Sequence, residues 1–430
     1  MTRKETMPDN AENLMEAIVE RGNLNKAYLQ VKRNGGAPGI DGMPVEEALS
    51  YLKENGAKIR EELFEGSYKP KAVRRATIPK ADGGARELGI PTVIDRIIQQ
   101  AIAQILVPIY EEKFSEHSYG FRPGRSCHQA IHKAKEYISA GNEYVVDIDL
   151  EKFFDRVNHD KLMSLIAKDI LDKRLLRLIR KYLESGVMIG GLYESTEEGT
   201  PQGGPLSPLL SNIMLNELDK ELESRGHLFC RYADDCNIYV KSRKAGERVM
   251  EGISRFIEKR LKLKVNKEKS AVGSPYERKF LGFGFYKGKD GGVKIRAHKK
   301  SISKLKAKVK KITSRSNGKN TQQRIKELTP LLRGWGNYYR IDEMKSTMSD
   351  IDGWIRRHLR SCIWKTWKRV RTRFRKLKEL GMSECDAIRN ANTRKGFWRI
   401  AGSKILKFTL TNKYFEDLGF ISLCSITAKN

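Results

Sequence analysis

Paired cysteines are missing. None of Cys127, Cys230, Cys236, Cys362, Cys385 and Cys424 stands in a CxxC pair, which excludes the common zinc and dithiol redox motifs. Cys230 and Cys236 read as small core residues. Long apolar runs are missing too. None approaches the ~20 residues that span a bilayer, and the opening MTRKETMPDNAEN carries no apolar leader. These absences point to a cytoplasmic protein with no membrane partner. The Gly-rich stretch NGGAPGIDG at 34–42 lacks a GKS or GKT ending, so it is not the phosphate cradle of a P-loop. Internal repeats and long low-complexity linkers are absent. Acids are scarce in one third only. From Lys287 onward 11 Asp and Glu face 37 Lys and Arg, which is +26 of the net +30.

A near-neutral body with a strongly basic C-terminal third points to a polyanion, above all nucleic acid. An anionic membrane surface fits less well, because the basic helices also carry ordinary apolar faces. With 430 residues, 39% of them hydrophobic, the chain can build two or three domains around a sizeable core.

The most informative stretch is FCRYADDCNIYV, 229–240. Two apolar runs flank Ala233-Asp234-Asp235, a pattern that predicts a β-hairpin with two carboxylates at its tip. Adjacent acids repel each other and add nothing to a core. Mg²⁺, which takes hard oxygen ligands, is the natural counter-charge; a solvated turn is the alternative. A second acidic site lies in YVVDIDLEKFFD, 144–155. Residues 144–150 read as a buried strand with Asp147 and Asp149 on one face. An acid inside an apolar run is costly to bury unless it is paired or binds metal.

Helical periodicity covers 11–33, 45–63, 92–114, about 159–168, 172–184, 205–225 and about 245–260. Residues 73–78 and 86–90 read as a hairpin closed by Ala81-Asp82-Gly83-Gly84. Lys80 and Arg86 flank its turn, either to close on a triphosphate or simply to be solvated. HSYGFRPGRS, 117–126, reads as a rigid loop in which Arg122 and Arg125 can meet phosphate or template. Gln202, in the polar loop GTPQGG, can reach a bound substrate. Further on, Lys304, Lys308 and Lys311 lie on one helix face, with Ile302, Leu305, Val309 and Ile312 on another. RGWGNYYR sets Arg333 and Arg340 around Trp335, Tyr338 and Tyr339. Cations interleaved with aromatics suit RNA, and buried core rings are the alternative.

The blocks HSYGFRPGRS, VDIDLEKFFD, GTPQGGPLSPLLSNIMLNELD, RYADD and LGF stand in this order. They resemble the ordered blocks of reverse transcriptases, most closely those encoded by bacterial group II introns. PLLRGWGNYYR resembles the maturase (X) region that follows the polymerase in that family. The resemblance runs from about Asn23 to the C-terminus. It implies an α+β right-hand polymerase: fingers and palm with antiparallel sheet in 1–286, a helical thumb or maturase domain in 287–367, and a basic DNA-binding region in 368–430. The implied activity is RNA-directed DNA polymerisation, joined to binding of the group II intron RNA in splicing. Copying of the intron at DNA target sites by target-primed reverse transcription (retrohoming) would follow. The implied partners are intron RNA, an RNA template with DNA primer, dNTPs and target DNA. Homodimerisation stays open.

In the family the palm holds two Mg²⁺ ions, with Mn²⁺ as a substitute. Carried onto this sequence, their ligands are Asp149 and Asp234, with Asp235 adjacent and the carbonyl of Leu150 helping. Asp147 is supporting only, because the family places an aromatic five residues after the metal-binding acid, and Phe154 stands there. Phe154 resembles the steric gate that excludes a ribose 2′-OH. Lys80 and Arg86 match the cations on the incoming triphosphate, and Gln202 the polar contact at the nucleotide. Lys279, Leu281, Gly282 and Phe283 resemble the segment that holds the primer end. KRVRTRFRKLK, with Arg371, Arg373 and Arg375, would hold the DNA target with strong salt dependence. The tail shows no Cys pair or His cluster, which resembles the compact subclass without an HNH endonuclease domain.

Two other readings are weaker. A retron or diversity-generating reverse transcriptase would lack RGWGNYYR. A non-catalytic splicing factor derived from the family should have lost some of Asp149, Asp234, Asp235 and Gln202, and all four are present.

Overall fold

The structure is a computed structural model and describes residues 13–79, 85–189, 192–194, 198–199 and 203–427. Two compact units divide between Ser274 and Pro275. The first contains helices α1 (Leu14–Val19), α2 (Arg21–Asn34), α3 (Ala48–Glu65), α4 (Val93–Glu111), α5 (Cys127–Ser139), α6 (His159–Ile166), α7 (Lys173–Leu183), α8 (Ser207–Ser224) and α9 (Arg243–Phe256). Its strands are β1 (Val73–Pro79), β2 (Ala85–Ile90), β3 (Tyr144–Ile148), β4 (Val187–Ile189), β5 (Leu192–Glu194), β6 (Leu228–Tyr232), β7 (Asp235–Val240) and β8 (Ala271–Gly273). The second unit adds strands β9 (Phe283–Lys287) and β10 (Val293–Ala297). Its helices are α10 (Lys299–Ile312), α11 (Thr321–Tyr338), α12 (Lys345–Thr366), α13 (Val370–Glu379), α14 (Glu384–Ala391), α15 (Phe397–Ala401), α16 (Lys404–Thr409), α17 (Asn412–Asp417) and α18 (Leu423–Thr427).

The sheet that matters most has the order β6-β7-β3-β8, antiparallel throughout. Its strands alternate with period two. Val146 and Ile148 of β3, Phe229 of β6, and Cys236, Ile238 and Val240 of β7 enter the hydrophobic core. Asp147 stays half-buried on the opposite face. The core also takes Leu210, Ile213, Met214, Leu218 and Leu222 from α8, and Ile97, Ile98 and Ile102 from α4. Each fully buried Leu or Ile contributes roughly 1.5–3 kcal/mol, so the sheet is a firm base for whatever stands on its open face.

Caps fix where the supporting helices begin. Thr92 Oγ1 accepts from the Asp95 N–H (3.1 Å) at the start of α4. Ser126 and Gln129 form a reciprocal capping box at α5. Pro208 occupies the first turn of α8, where its missing N–H costs nothing. The other sheet of this unit has the order β2-β1-β4-β5 and carries the β1–β2 hairpin, paired from Arg74↔Ile90 to Pro79↔Ala85. The Gly-rich loop at 34–42 is a packing element. Arg96 donates to the carbonyls of Gly35 (3.2 Å) and Ala37 (2.9 Å), and Arg74 to that of Pro38 (2.8 Å). Among the described residues no helix is long and apolar enough to cross a membrane.

Candidate active site and nucleic-acid surfaces

β6 and β7 pair from Leu228↔Tyr239 to Tyr232↔Asp235, so Ala233 and Asp234 form a two-residue hairpin loop. Ala233 has φ 56°, a left-handed conformation that is costly for a residue with a Cβ. β3 lies beside β7, and their last pair is Ile148↔Cys236. Asp149 and Asp235 are the next residue on each strand, and both continue the face that carries Asp147. Asp149 and Asp234 are half-buried, and Asp235 is exposed. Lys269 Nζ lies 3.9 Å from Asp149 Oδ1. Among the described residues the Asp234 carboxylate has no hydrogen-bond or ion-pair partner.

The main chain adds a third oxygen. Asn266 N–H donates to Asp149 O (2.8 Å), and Glu151 N–H donates to Lys264 O (2.8 Å). Leu150, between them, is opposite Val265. Polar groups of an extended chain alternate sides, so the Leu150 carbonyl points away from the 264–266 segment. Two carboxylates and a carbonyl are hard donors that fit Mg²⁺. Among the described residues no three His, Cys, Asp or Glu side chains are grouped closely enough to hold an ion unaided. Mg²⁺ commonly binds one or two carboxylates and completes its shell with water and substrate phosphate. Cys230 and Cys236 stand apart from this chemistry, since burial pushes both thiols up.

Beneath the turn lies a buried network centred on Arg231, which is fully buried. Its Nε donates to Asp219 Oδ1 (2.6 Å), and Nη2 to Asp219 Oδ2 (2.5 Å) and Ser118 Oγ (2.7 Å). Nη1 donates to Asn212 Oδ1 (3.1 Å) and to the carbonyl of Ala233 (3.0 Å). Asn212 Nδ2 in turn donates to Gly120 O (2.8 Å). A Cβ on Gly120 would collide with the Ala233 nitrogen. The strained turn is therefore clamped by α8 and by the 117–120 loop together.

That loop also carries the two arginines expected to meet phosphate or template, Arg122 and Arg125. Arg122 directs its guanidinium inward, to the Glu111 carboxylate (2.7 Å) and to the carbonyls of Ser115 and Ser118. Its side chain is only 2% exposed, so its task here is to shape the loop. Arg125 pairs with Glu116 and stays partly exposed.

Phe154 sits in a one-turn 3₁₀ helix, Phe153–Asp155, half-buried and edge-on to Phe153 at 5.2 Å. Gly199 docks on this segment. Its N–H donates to Val157 O (2.8 Å), its carbonyl accepts from His159 Nε2 (2.6 Å), and a Cβ there would press on the Phe154 carbonyl. At the other end of the same loop, a Cβ on Gly203 would lie 2.6 Å from the Gly89 carbonyl of β2. In the sequence Gln202 falls between Gly199 and Gly203. Gln202, Lys80 and the 81–84 turn lie outside the described residues. Arg86 is described only by its backbone pairing with Ile78.

Residues 78–285 match the family model for reverse transcriptase (RNA-dependent DNA polymerase), and residues 302–381 match that for the group II intron maturase-specific domain. The chain is 36% identical over 273 residues to Protein YkfC of Escherichia coli (strain K12), which covers 55% of this chain and 72% of YkfC. It is 38% identical over 195 residues to Group II intron-encoded protein LtrA of Lactococcus lactis subsp. cremoris. The chain belongs to the group II intron-encoded reverse transcriptases. The LtrA match covers 45% of this chain and 32% of LtrA, so the chain spans about a third of that relative. A shorter match, 32% over 106 residues, joins it to Nuclear intron maturase 2, mitochondrial, of Arabidopsis thaliana, covering 25% of this chain and 14% of that protein. The α+β class is the one expected of an intron reverse transcriptase; its sheets are antiparallel except where β1 pairs parallel with β4, from Val73↔Val187 to Arg74↔Met188.

Within the second unit the maturase-type segment RGWGNYYR meets the expected primer segment. Tyr338 Oη donates to Leu281 O (2.9 Å). A Cβ on Gly282 (φ 84°) would lie 2.5 Å from Tyr339 Oη. Phe283 stacks at 5.6 Å on Tyr338 and packs at 4.9 Å on Tyr339. Tyr339 is buried, Trp335 is half-buried against it, and Tyr338 is exposed. Lys279, Lys304, Lys308, Lys311, Arg333 and Arg340 are exposed, as are Arg371 and Arg375. Arg373 instead packs over Trp364 (4.8 Å) and donates to Trp367 O (2.9 Å).

Arg231, Asp219, Asn212, Ser118 and Gly120 were not anticipated as site residues. A signal existed: Arg231 is a cation within an apolar strand, and Asp219 an acid on a helix with apolar faces.

Proposed function

We propose that this intron reverse transcriptase extends a DNA primer on an RNA template at the Ala233–Asp234 turn, and that its second unit binds the group II intron RNA it serves. The observation that supports the reading is that Asp149, Asp234 and the Leu150 carbonyl belong to the same end of the adjacent strands β3 and β7 in a firmly packed sheet. Those three would hold Mg²⁺, with Mn²⁺ able to take the same oxygens and Asp235 beside them. When bound, the metal lowers the pKa of a primer 3′-OH and neutralises charge on the triphosphate.

The chain's own residues position the reactants, which is most of what phosphoryl transfer asks of a protein. Lys80 and Arg86 would bind triphosphate oxygens from the β1–β2 hairpin. Phe154 would press on the sugar and leave no room for a 2′-OH. Gln202 would contact the nascent pair. Lys279, Leu281, Gly282 and Phe283 would hold the primer end. Arg125, Lys304, Lys308, Lys311, Arg333 and Arg340 would meet RNA phosphates, and Arg371 and Arg375 the target DNA. In this scheme residues 1–286 supply fingers and palm, 287–367 the thumb or maturase domain, and 368–430 the DNA-binding region. Copying at a DNA target then gives retrohoming.

Primer extension on an RNA template tests the reading. Asp234→Asn should abolish DNA synthesis while affinity for intron RNA stays within about twofold. DNA synthesis at the wild-type rate in that variant would overturn the assignment. Phe154→Ala should incorporate ribonucleotides, and unchanged sugar selectivity would reject the gate.

A further inference from the structure

Among α10, α12 and α15 the second unit holds a cavity of about 510 Å³ whose lining residues include no acid. Lys310, Arg315, Lys365, His358, Phe397 and Trp398 line it, and Ser and Thr residues supply the rest. Phe397 and Trp398 are 37% and 38% exposed, side by side in α15. Burial together with the cations Lys310, Arg315 and Arg357 brings the His358 imidazole down to about 4, so at neutral pH the positive charge comes from Lys and Arg. Among the described residues, no acid forms an ion pair with Lys310, Arg315, Arg357 or Lys365.

The rings are held in place. Arg357 donates to the Trp398 carbonyl from Nε (3.2 Å) and Nη2 (3.0 Å), with its guanidinium 4.3 Å from the indole centroid. The His358 ring lies 4.6 Å from the same indole. Arg315 sits 5.0 Å over Phe397, and Lys365 Nζ donates to the Arg315 carbonyl (2.7 Å). Across Arg357 a second cavity, about 790 Å³, is lined by five cations and again no acid. Unpaired cations beside exposed, preordered rings call for a ligand that supplies negative charge and flat apolar faces at once.

We propose that this cavity is a stacking site for single-stranded polynucleotide, with bases on Trp398 and Phe397 and phosphates on Lys310, Arg315 and Lys365. An unpaired base has a free π-face, and stacking on an aromatic side chain is sequence-tolerant. A duplex offers its phosphates and groove edges and leaves the rings unused. An acidic peptide meets the cations but gives no role to two exposed rings.

The test is equilibrium binding of the full chain, without dNTPs, to oligo(dT) and oligo(rU) of about 12 nucleotides and to a DNA duplex. Trp398→Leu should weaken single-strand binding at least about fivefold and leave duplex affinity unchanged. Trp398→Phe should restore single-strand binding. The triple variant Lys310→Gln/Arg315→Gln/Lys365→Gln should flatten the log–log salt slope for single strands by about 2. Tighter binding of oligo(rU) would name RNA as the occupant, and tighter binding of oligo(dT) DNA; both support the site. Wild-type single-strand affinity in Trp398→Leu, equal loss for the duplex, an unchanged salt slope, or displacement by polyglutamate at equal charge would each overturn it. Thermal melts confirm that the variants are folded. Because nothing is polymerised, failure here leaves the polymerase assignment standing.

Discussion

A guanidinium buried this deeply is normally a liability, and Arg231 is retained with every donor nitrogen engaged. One of those bonds goes to the carbonyl of Ala233, the strained residue that aims Asp234. Arg231→Met would leave Asp219 charged and unpaired in the core, at a cost of about 3–5 kcal/mol in denaturant unfolding. Pairing it with Asp219→Leu should recover most of that stability, since buried ion pairs can often be replaced by apolar residues of like size. The double variant still lacks the donor to Ala233, so its DNA synthesis should stay at least about tenfold below wild type. Full synthesis in a stable double variant would show that the clamp has no positioning role. Gly120→Ala pushes on the same turn from the opposite side. It should reduce synthesis more than it reduces RNA affinity, as compared by primer extension and filter binding.

At the scale of elements, what could be read in advance was whatever repeats along the chain. The β1–β2 hairpin, the β6–β7 hairpin, α4 and α8 all declare themselves by periodicity and turn residues. β4, β5 and β8 are three residues each, too short for alternation to register. The Arg231 network joins Asn212 and Asp219 of α8, Ser118 of the 117–120 loop, and Arg231 of β6 with Ala233 of the turn after it, and no local pattern links these three segments. Arg122 shows the converse. A loop arginine beside phosphate-type motifs proved to be an internal fastener, because Glu111, far from the loop in pattern though near in space, receives it.

Asp172 is another such tie, and it is testable by pH. It accepts from the Met15 N–H (2.9 Å), the Arg174 N–H (2.9 Å) and the Leu175 N–H (3.3 Å), capping α7 and holding α1. Burial alone would raise its carboxyl, but those N–H groups and the Arg174 side chain outweigh burial and hold it below its usual value. A carboxyl depressed by folding contributes stability above its unfolded pKa of about 4, and that contribution is lost as pH falls through the folded value. Asp172→Ala should cost about 1–2 kcal/mol at neutral pH. The difference from wild type should shrink in acid, as followed by urea titrations at several pH values.

At the scale of the whole molecule, the charge is divided as the work is divided. The near-neutral body carries the acidic turn, and the basic last third carries the maturase-specific match at residues 302–381. RNA affinity should therefore fall steeply with salt, in proportion to the phosphates contacted, whereas acid-to-amide changes at the turn should leave that slope unaltered. The most direct measurement is splicing of the RNA that flanks this reading frame, at low Mg²⁺, with no protein, wild type and Asp234→Asn, and primer extension run on the same preparations. Both proteins should promote splicing, by preferential binding of the native RNA fold, and only wild type should make DNA. Splicing that neither protein promotes, or DNA synthesis by Asp234→Asn, would contradict this division of roles.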